Sequence, residues 1–166
     1  MTRDDLIRMA TRLVQGPVPI LEKKVYGYHG KISSLLDALP PSITVLTRVT
    51  DACEQHALPA QAEGIPAYLR GQLAALIRRL QTGRTTSLIV IQEAALLARY
   101  HVPLPLLYEL TGDSQAIILH LDEGLPPQAW TFPAYVTYYP DAPASYFERA
   151  LGSQFIRAQQ GEEKQR

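Results

Sequence analysis

Two nearly continuous apolar runs constrain the fold of this chain more than any other feature of its sequence. They cover residues 87–91 and residues 116–121, and both contain β-branched side chains. A strand without polar alternation is typical of a sheet whose two faces are both covered, and such sheets are mostly parallel. The sequence therefore predicts two central strands with helices on either side.

Helical periodicity surrounds these runs. Residues 68–81 repeat leucine or isoleucine at helical spacing and predict the strongest helix of the chain. Thr2, with Asp5 three residues later, is a candidate N-cap for a first helix that Gly16 ends. The other predicted helices cover residues 4–15, 32–39, 51–56, 94–100, 105–110 and 145–159, and the other predicted strands cover residues 20–25, 43–46 and 135–139.

Buried strands that alternate with helices predict an α/β fold of three layers, in which helices flank a mainly parallel sheet. The sequence contains no linker long enough to divide the chain. We therefore expect a single α/β domain over residues 1–160, followed by a disordered tail over residues 161–166.

Composition narrows the functional classes. The chain has 166 residues, of which 46% are hydrophobic and 19% charged, as in ordinary globular proteins. The formal net charge is zero, which disfavours a nucleic-acid-binding module because the chain has no global field that attracts a polyanion. The lone Cys53 fits a reducing compartment, and no apolar run approaches membrane-spanning length. We expect a cytoplasmic protein without a membrane partner.

One glycine-containing segment has the form of a phosphate-binding loop. Residues 26–31 read as a loop, and Gly30-Lys31 follows a predicted strand and opens a predicted helix. In a P-loop, backbone N–H groups converge on phosphate at a helix N-terminus, the lysine reaches the β- and γ-phosphates, and the next Ser or Thr binds magnesium. The segment resembles the P-loop NTPase superfamily, although Val25 replaces the leading glycine and Ile32 replaces the Ser or Thr.

The second P-loop feature is an apolar strand that ends in an acidic residue. Here the strand at residues 88–91 is followed by Gln92 and Glu93. The resemblance implies that Glu93 occupies the water-activating position, whereas Gln92 stands where a magnesium-binding Asp is expected. A neutral amide is a poor ligand for a hard cation. We therefore predict a P-loop NTPase-like fold with no catalytic residue, metal or cofactor.

The alternative is a nucleotide-binding protein or weak NTPase. It would bind ATP or GTP with magnesium through Gly27, Gly30 and Lys31, Ser33 would replace the metal ligand, and Glu93 would act as the base. The element order also resembles small P-loop-like accessory proteins of bacterial phage-defence systems such as BREX. This resemblance implies a subunit of a larger bacterial assembly.

Two groups of side chains are candidate protein interfaces. Aromatic residues and prolines are concentrated in the C-terminal third, and tyrosine and tryptophan are common in interface hot spots. The aromatic candidates are Trp130, Phe132, Tyr135, Tyr138 and Tyr139. The basic candidates are Arg78, Arg79 and Arg84. The competing interpretations are that the rings cap the core and that the arginines form a solvated face. We favour a non-catalytic adaptor with protein partners, and self-association could use the same surfaces.

The histidines and the cysteine complete the candidates. Four histidines are too widely spaced to form a metal-ligand pattern. His120 lies near the carboxyl end of a predicted central strand, where open sheets place ligand-facing residues. Its competing interpretation is a structural hydrogen-bonding role. We expect Cys53 to be a buried thiol rather than a nucleophile.

Overall fold

A five-stranded sheet lies at the centre of the fold. The computed structural model describes residues 1–19, 24–121 and 143–158, and every strand pair in it is parallel. The spatial order of the strands is β2-β3-β4-β1-β5. They are β1 (Val25–His29), β2 (Thr44–Arg48), β3 (Ser87–Gln92), β4 (Gln115–Leu121) and β5 (Phe155–Arg157).

Six α-helices and four short 3-10 segments surround this sheet in the described part of the chain. The first helix begins at the predicted cap, because the Thr2 hydroxyl accepts from the backbone N–H of Asp5. The helices are α1 (Arg3–Val14), α2 (Ile32–Leu36), α3 (Ile65–Gln81), α4 (Ala95–Arg99), α5 (Pro105–Tyr108) and α6 (Pro143–Leu151).

The helices divide between the two faces of the sheet. On one face, Leu13 of α1 and Leu35 of α2 share a buried cluster with Ile118 of β4. On the other face, helices α3 to α6 form a second cluster with side chains such as Ile89 and Leu119. Burial on both faces explains why β3 and β4 are apolar at successive positions. The predicted three-layer α/β fold with a parallel sheet is confirmed.

The topology places a switch point between β1 and β4. These strands are neighbours, with Tyr28 of β1 beside His120 of β4. The helix after β1 is α2, which covers one face, whereas the next described helix after β4 is α6, which covers the other. In open α/β sheets, ligands bind beyond the carboxyl ends of strands at such a point. The P-loop-like Gly30-Lys31 turn lies there.

The prediction of a loop over residues 26–31 is wrong for most of its length. Residues Val25–His29 form β1, a central strand whose Tyr26 and Tyr28 are buried. Gly27 lies within this strand, and a Cβ atom added to it would collide with the ring of Phe155. A glycine inside a strand often marks such a close approach. Of the strand predicted at residues 20–25, residues 20–23 lie outside the described part.

Two predicted helices also differ from the structure. The helix over residues 145–159 ends at Leu151, because Gly152 adopts a left-handed conformation with φ 56° and the chain then enters β5. The predicted helix over residues 51–56 is replaced by the 3-10 segments Val49–Ala52 and Gln55–Ala57. The predicted strand at residues 135–139 and the tail at residues 161–166 lie outside the described residues. Among the described helices, none has the length and apolarity that crossing a bilayer requires.

Candidate functional site

The turn between β1 and α2 consists of only two residues. β1 ends at His29 and α2 begins at Ile32, so Gly30 and Lys31 alone connect them. Gly27 lies inside the strand, and neither Gly27 nor Gly30 has a positive φ. A turn this short offers few backbone N–H groups that could converge on a phosphate.

Close packing accounts for the glycine at position 30. A Cβ atom added there would lie 2.6 Å from the Cβ of Ala158 and 3.0 Å from the hydroxyl of Tyr28. The carbonyl of Gly30 accepts a hydrogen bond of 2.7 Å from Nε2 of His120. The turn is therefore held from two sides by other parts of the chain.

Lys31 and Ser33 lie on the exposed side of this turn. Lys31 is the N-cap residue of α2 and has an extended backbone. Its carbonyl accepts a hydrogen bond of 2.9 Å from the Ser34 hydroxyl, whereas Ser33 is exposed. Ile32, at the position of the magnesium-binding hydroxyl, packs against the core. The predicted binding residues Gly30, Lys31 and Ser33 are thus close along the chain, and Gly27 is separated from them by its place in β1.

Glu93 is a buried carboxylate at the end of β3. It has φ 63°, an uncommon conformation for a residue with a side chain, and it is 9% exposed. Its Oε1 accepts from both the backbone N–H of Thr50, at 3.3 Å, and the Thr50 hydroxyl, at 2.5 Å. Its Oε2 is buried and has no hydrogen-bond partner among the described residues. The candidate base is therefore engaged by the turn that follows β2.

Asp51 and Cys53 follow Thr50 in the segment after β2. Burial, with a smaller contribution from the Glu93 charge, raises the pKa of Cys53 to about 11. The Cys53 thiol is buried, as predicted. Asp51 is exposed, and its Oδ2 accepts from the backbone N–H of Arg48 at 2.9 Å and the hydroxyl of Thr47 at 3.2 Å. Within the described residues, no group of three or more His, Cys, Asp and Glu side chains is placed to hold a metal ion.

His120 lies at the switch point and is 1% exposed. Its ring stacks on Tyr28 with centroids 6.2 Å apart and an interplanar angle of 27°. Its backbone carbonyl accepts from the N–H of Ala94 at 3.3 Å. His120 therefore combines the expected position at a strand end with the hydrogen-bonding role of the competing interpretation.

Sequence reasoning missed Thr50 and Tyr28. The sequence predicts that the second strand ends at residue 46, whereas β2 continues to Arg48. The turn after β2 then places the Thr50 hydroxyl within hydrogen-bond distance of Glu93, a contact that the predicted strand end does not suggest. The glycine pattern predicts a loop at Tyr28, although this residue is fully buried in β1. Correct strand ends would have placed both residues at the carboxyl edge of the sheet.

The three arginines occupy the opposite end of the sheet. Arg78 and Arg79 lie in the last turn of α3, and Arg84 shortly precedes the amino end of β3. All three are exposed, and none forms an ion pair with another residue of the described part. The aromatic interface candidates Trp130, Phe132, Tyr135, Tyr138 and Tyr139 lie outside the described residues.

A buried lysine, also missed, lies near that end. Lys24 is 2% exposed, and its Nζ donates to the carbonyl of Gly112. Burial lowers the pKa of Lys24, and the nearby Asp113 carboxylate opposes this effect. The Asp113 carbonyl in turn accepts from Val18 at 2.8 Å. These contacts join the segment before β1 to the turn before β4.

Comparisons with known proteins give a distant structural likeness and no match by sequence. No protein-family model matches the chain, and no curated protein matches it. Among solved structures, the ORC2 protein of Aeropyrum pernix in its ADPNP–ADP complexes is similar, with 12% identity and a TM-score of 0.41. The likeness covers 93% of this chain and 45% of that protein, so this chain spans less than half of its length. The fold assignment rests on the sheet topology described above.

Proposed function

We propose that this protein is a non-catalytic adaptor or scaffold subunit of a larger bacterial assembly, built on a degenerate P-loop-like fold. The observation that carries the proposal is the internal engagement of both P-loop-like elements. The Gly30 carbonyl is bonded to His120, and the Glu93 carboxylate is bonded to Thr50. The resemblance to phage-defence accessory proteins suggests such a system as the context.

Opening these contacts for a nucleotide would cost free energy. Leaving a buried acceptor without its donor costs about 1–3 kcal/mol, and more when the acceptor is charged. A bound metal would offset this cost, but Gln92 provides no carboxylate to bind one.

The docking surfaces in this proposal are the arginine cluster (Arg78, Arg79 and Arg84) and the aromatic segment that contains Trp130 and Phe132. Guanidinium groups bind carboxylates in a bidentate geometry and are enriched in interfaces. Exposed arginines without an acidic partner in the described part are available for an acidic protein surface. The two surfaces can be tested separately.

The test is co-purification with the products of neighbouring genes. The charge reversal Arg78→Glu, Arg79→Glu and Arg84→Glu should abolish or strongly weaken the complex, and Trp130→Ala should do the same if the aromatic segment docks. Arg70→Glu, at an exposed position more than two turns earlier in α3, is the control and should leave the complex intact. A chain that remains monomeric and captures none of these products would refute the adaptor role.

A second candidate function is nucleotide binding, favoured by the position of exposed Lys31 beside the switch point. Ligand at 100 times its Kd should stabilise the fold by about 2.7 kcal/mol. For a chain of this size that raises Tm by about 5–10 °C. Thermal unfolding with millimolar ATP or GTP and magnesium, compared with Lys31→Ala, measures this effect. An unchanged Tm in the wild-type chain would exclude this function.

A further inference from the structure

We propose that His120 acts as a latch that couples the turns at the carboxyl edge of the sheet. The latch consists of its ring, which holds the β1–α2 turn, and its backbone carbonyl, which holds the β3–α4 turn. This is a conformational device that neither the adaptor role nor nucleotide binding requires.

The ring forms the first half of the latch. A carbonyl oxygen can only accept, so the 2.7 Å contact with Gly30 requires that Nε2 of His120 carries the proton. Stacking on Tyr28 fixes the plane of the ring, and the residue is almost fully buried. A donor held this way has little freedom to leave the Gly30 carbonyl.

The backbone forms the second half. The N–H of Ala94 donates to the His120 carbonyl at 3.3 Å, directly after Glu93. Glu93 is itself bonded to Thr50 in the turn after β2. A displacement of the end of β4 therefore reaches the turns after β2 and β3 through consecutive hydrogen bonds.

The connection continues to the other edge of the sheet. The N–H of Ala158, after β5, donates to the carbonyl of His29 at 2.9 Å, and Ala158 packs against Gly30. Contacts thus link the carboxyl ends of all five strands, with His120 at the centre. Two sites are coupled when both shift the conformational equilibrium of one shared element. His120 is proposed as that element because it contacts both the β1–α2 turn and the β3–α4 turn.

Amide hydrogen exchange on the full chain tests the latch. His120→Phe keeps a flat ring beside Tyr28 and removes the donor, so exchange over residues 30–36 should accelerate about tenfold or more. Exchange over residues 94–99 should accelerate in the same variant, while the centre of α3 stays unchanged. His120→Gln, which retains an N–H donor, should restore part of the protection. Tyr28→Phe removes a hydroxyl that has no hydrogen-bond partner in the described part of the chain, and it serves as the control within the same cluster.

Several outcomes would overturn the inference. These are unchanged exchange over residues 30–36 in His120→Phe, acceleration there without any at residues 94–99, or an equal acceleration throughout α3. If His120→Phe fails to fold, the wild-type chain still decides the question. The Nε2 proton of His120 should then give a slowly exchanging NMR signal, and its rapid exchange with water would refute the latch.

Discussion

Replacing Gly27 with alanine should destabilise the protein through a single steric contact. Gly27 lies in the middle of β1, between β4 and β5. A Cβ atom at this position would lie 2.6 Å from Cδ2 of Phe155 and 3.2 Å from Cδ1 of Leu151. Real Cβ contacts are essentially never as short as the first distance, so β5 or its phenylalanine must move.

Two opposing contributions determine how far Gly27→Ala changes the free energy of unfolding. Overpacking a well-packed core costs about 1–3 kcal/mol. Replacing glycine by alanine where the backbone permits it returns about 0.4–1 kcal/mol by restricting the unfolded chain. Gly27 has no positive φ, so this second term applies. The expected net loss is about 1–2 kcal/mol, or about 0.5–1 M in the urea midpoint at a typical m-value.

Urea denaturation of four variants, Gly27→Ala, Gly71→Ala, Phe155→Ala and the double variant of Gly27 and Phe155, measures this effect. Gly71→Ala is the matched control, because Gly71 lies within α3 and no atom of the described residues lies within 4 Å of its added Cβ. It should raise stability by about 0.5–1 kcal/mol. In a Phe155→Ala background the cost of Gly27→Ala should largely disappear, because contacting residues are not additive. If Gly27→Ala is as stable as the wild type, the close-packing explanation for this glycine is wrong.

Three further predictions concern the polar groups. Thr50→Val removes one donor to buried Glu93 and should cost about 1–3 kcal/mol in urea denaturation, whereas Thr50→Ser should cost much less; equal losses would contradict this. Since the pKa of Cys53 is raised from 9.0 to about 11, thiol labelling at pH 8 should be about a hundredfold slower than for an exposed cysteine, and the stability due to the protonated thiol should fall as pH rises from about 9 to about 11. Labelling at the exposed rate would refute its burial. Hydrogen bonds from the Thr2 backbone N–H and hydroxyl lower the pKa of the Asp5 carboxyl group. The stability that the charged carboxylate gives to α1 should therefore be present above pH 3.8 and be lost as the pH falls below it. Circular dichroism in acid should show this loss of helix in the wild type and not in Asp5→Asn.

The parts of the fold that the sequence predicts are those that local pattern determines. β3 and β4 are visible because both faces are buried, so no polar residue interrupts most of their length. The α1 cap and the long α3 follow from capping chemistry and helical spacing. Each of these elements can be predicted from the residues that form it.

The missed elements depend on distant contacts. β1 contains Gly27 between two tyrosines, a pattern that locally favours a turn, and its burial depends on Phe155 from the far end of the chain. β5 is only three residues long and continues a predicted helix, so it exists because β1 offers an edge to pair with. The periodicity of a short segment cannot predict which distant strand it will pair with.

For the candidate site, the sequence predicts where the residues lie but not which groups their polar atoms contact. Parallel strands bring Gly30, Glu93 and His120 to one edge, which the order of elements along the chain suffices to predict. Buried polar groups must then find hydrogen-bond partners, and here they find one another: Gly30 with His120, and Glu93 with Thr50. In a nucleotide site the Glu93 carboxylate would face a ligand, and the backbone N–H groups of the turn, not the Gly30 carbonyl, would contact phosphate. Resemblance in position is therefore consistent with the architecture, and the hydrogen bonds of His120 and Glu93 are the basis of the coupling proposed for this edge of the sheet.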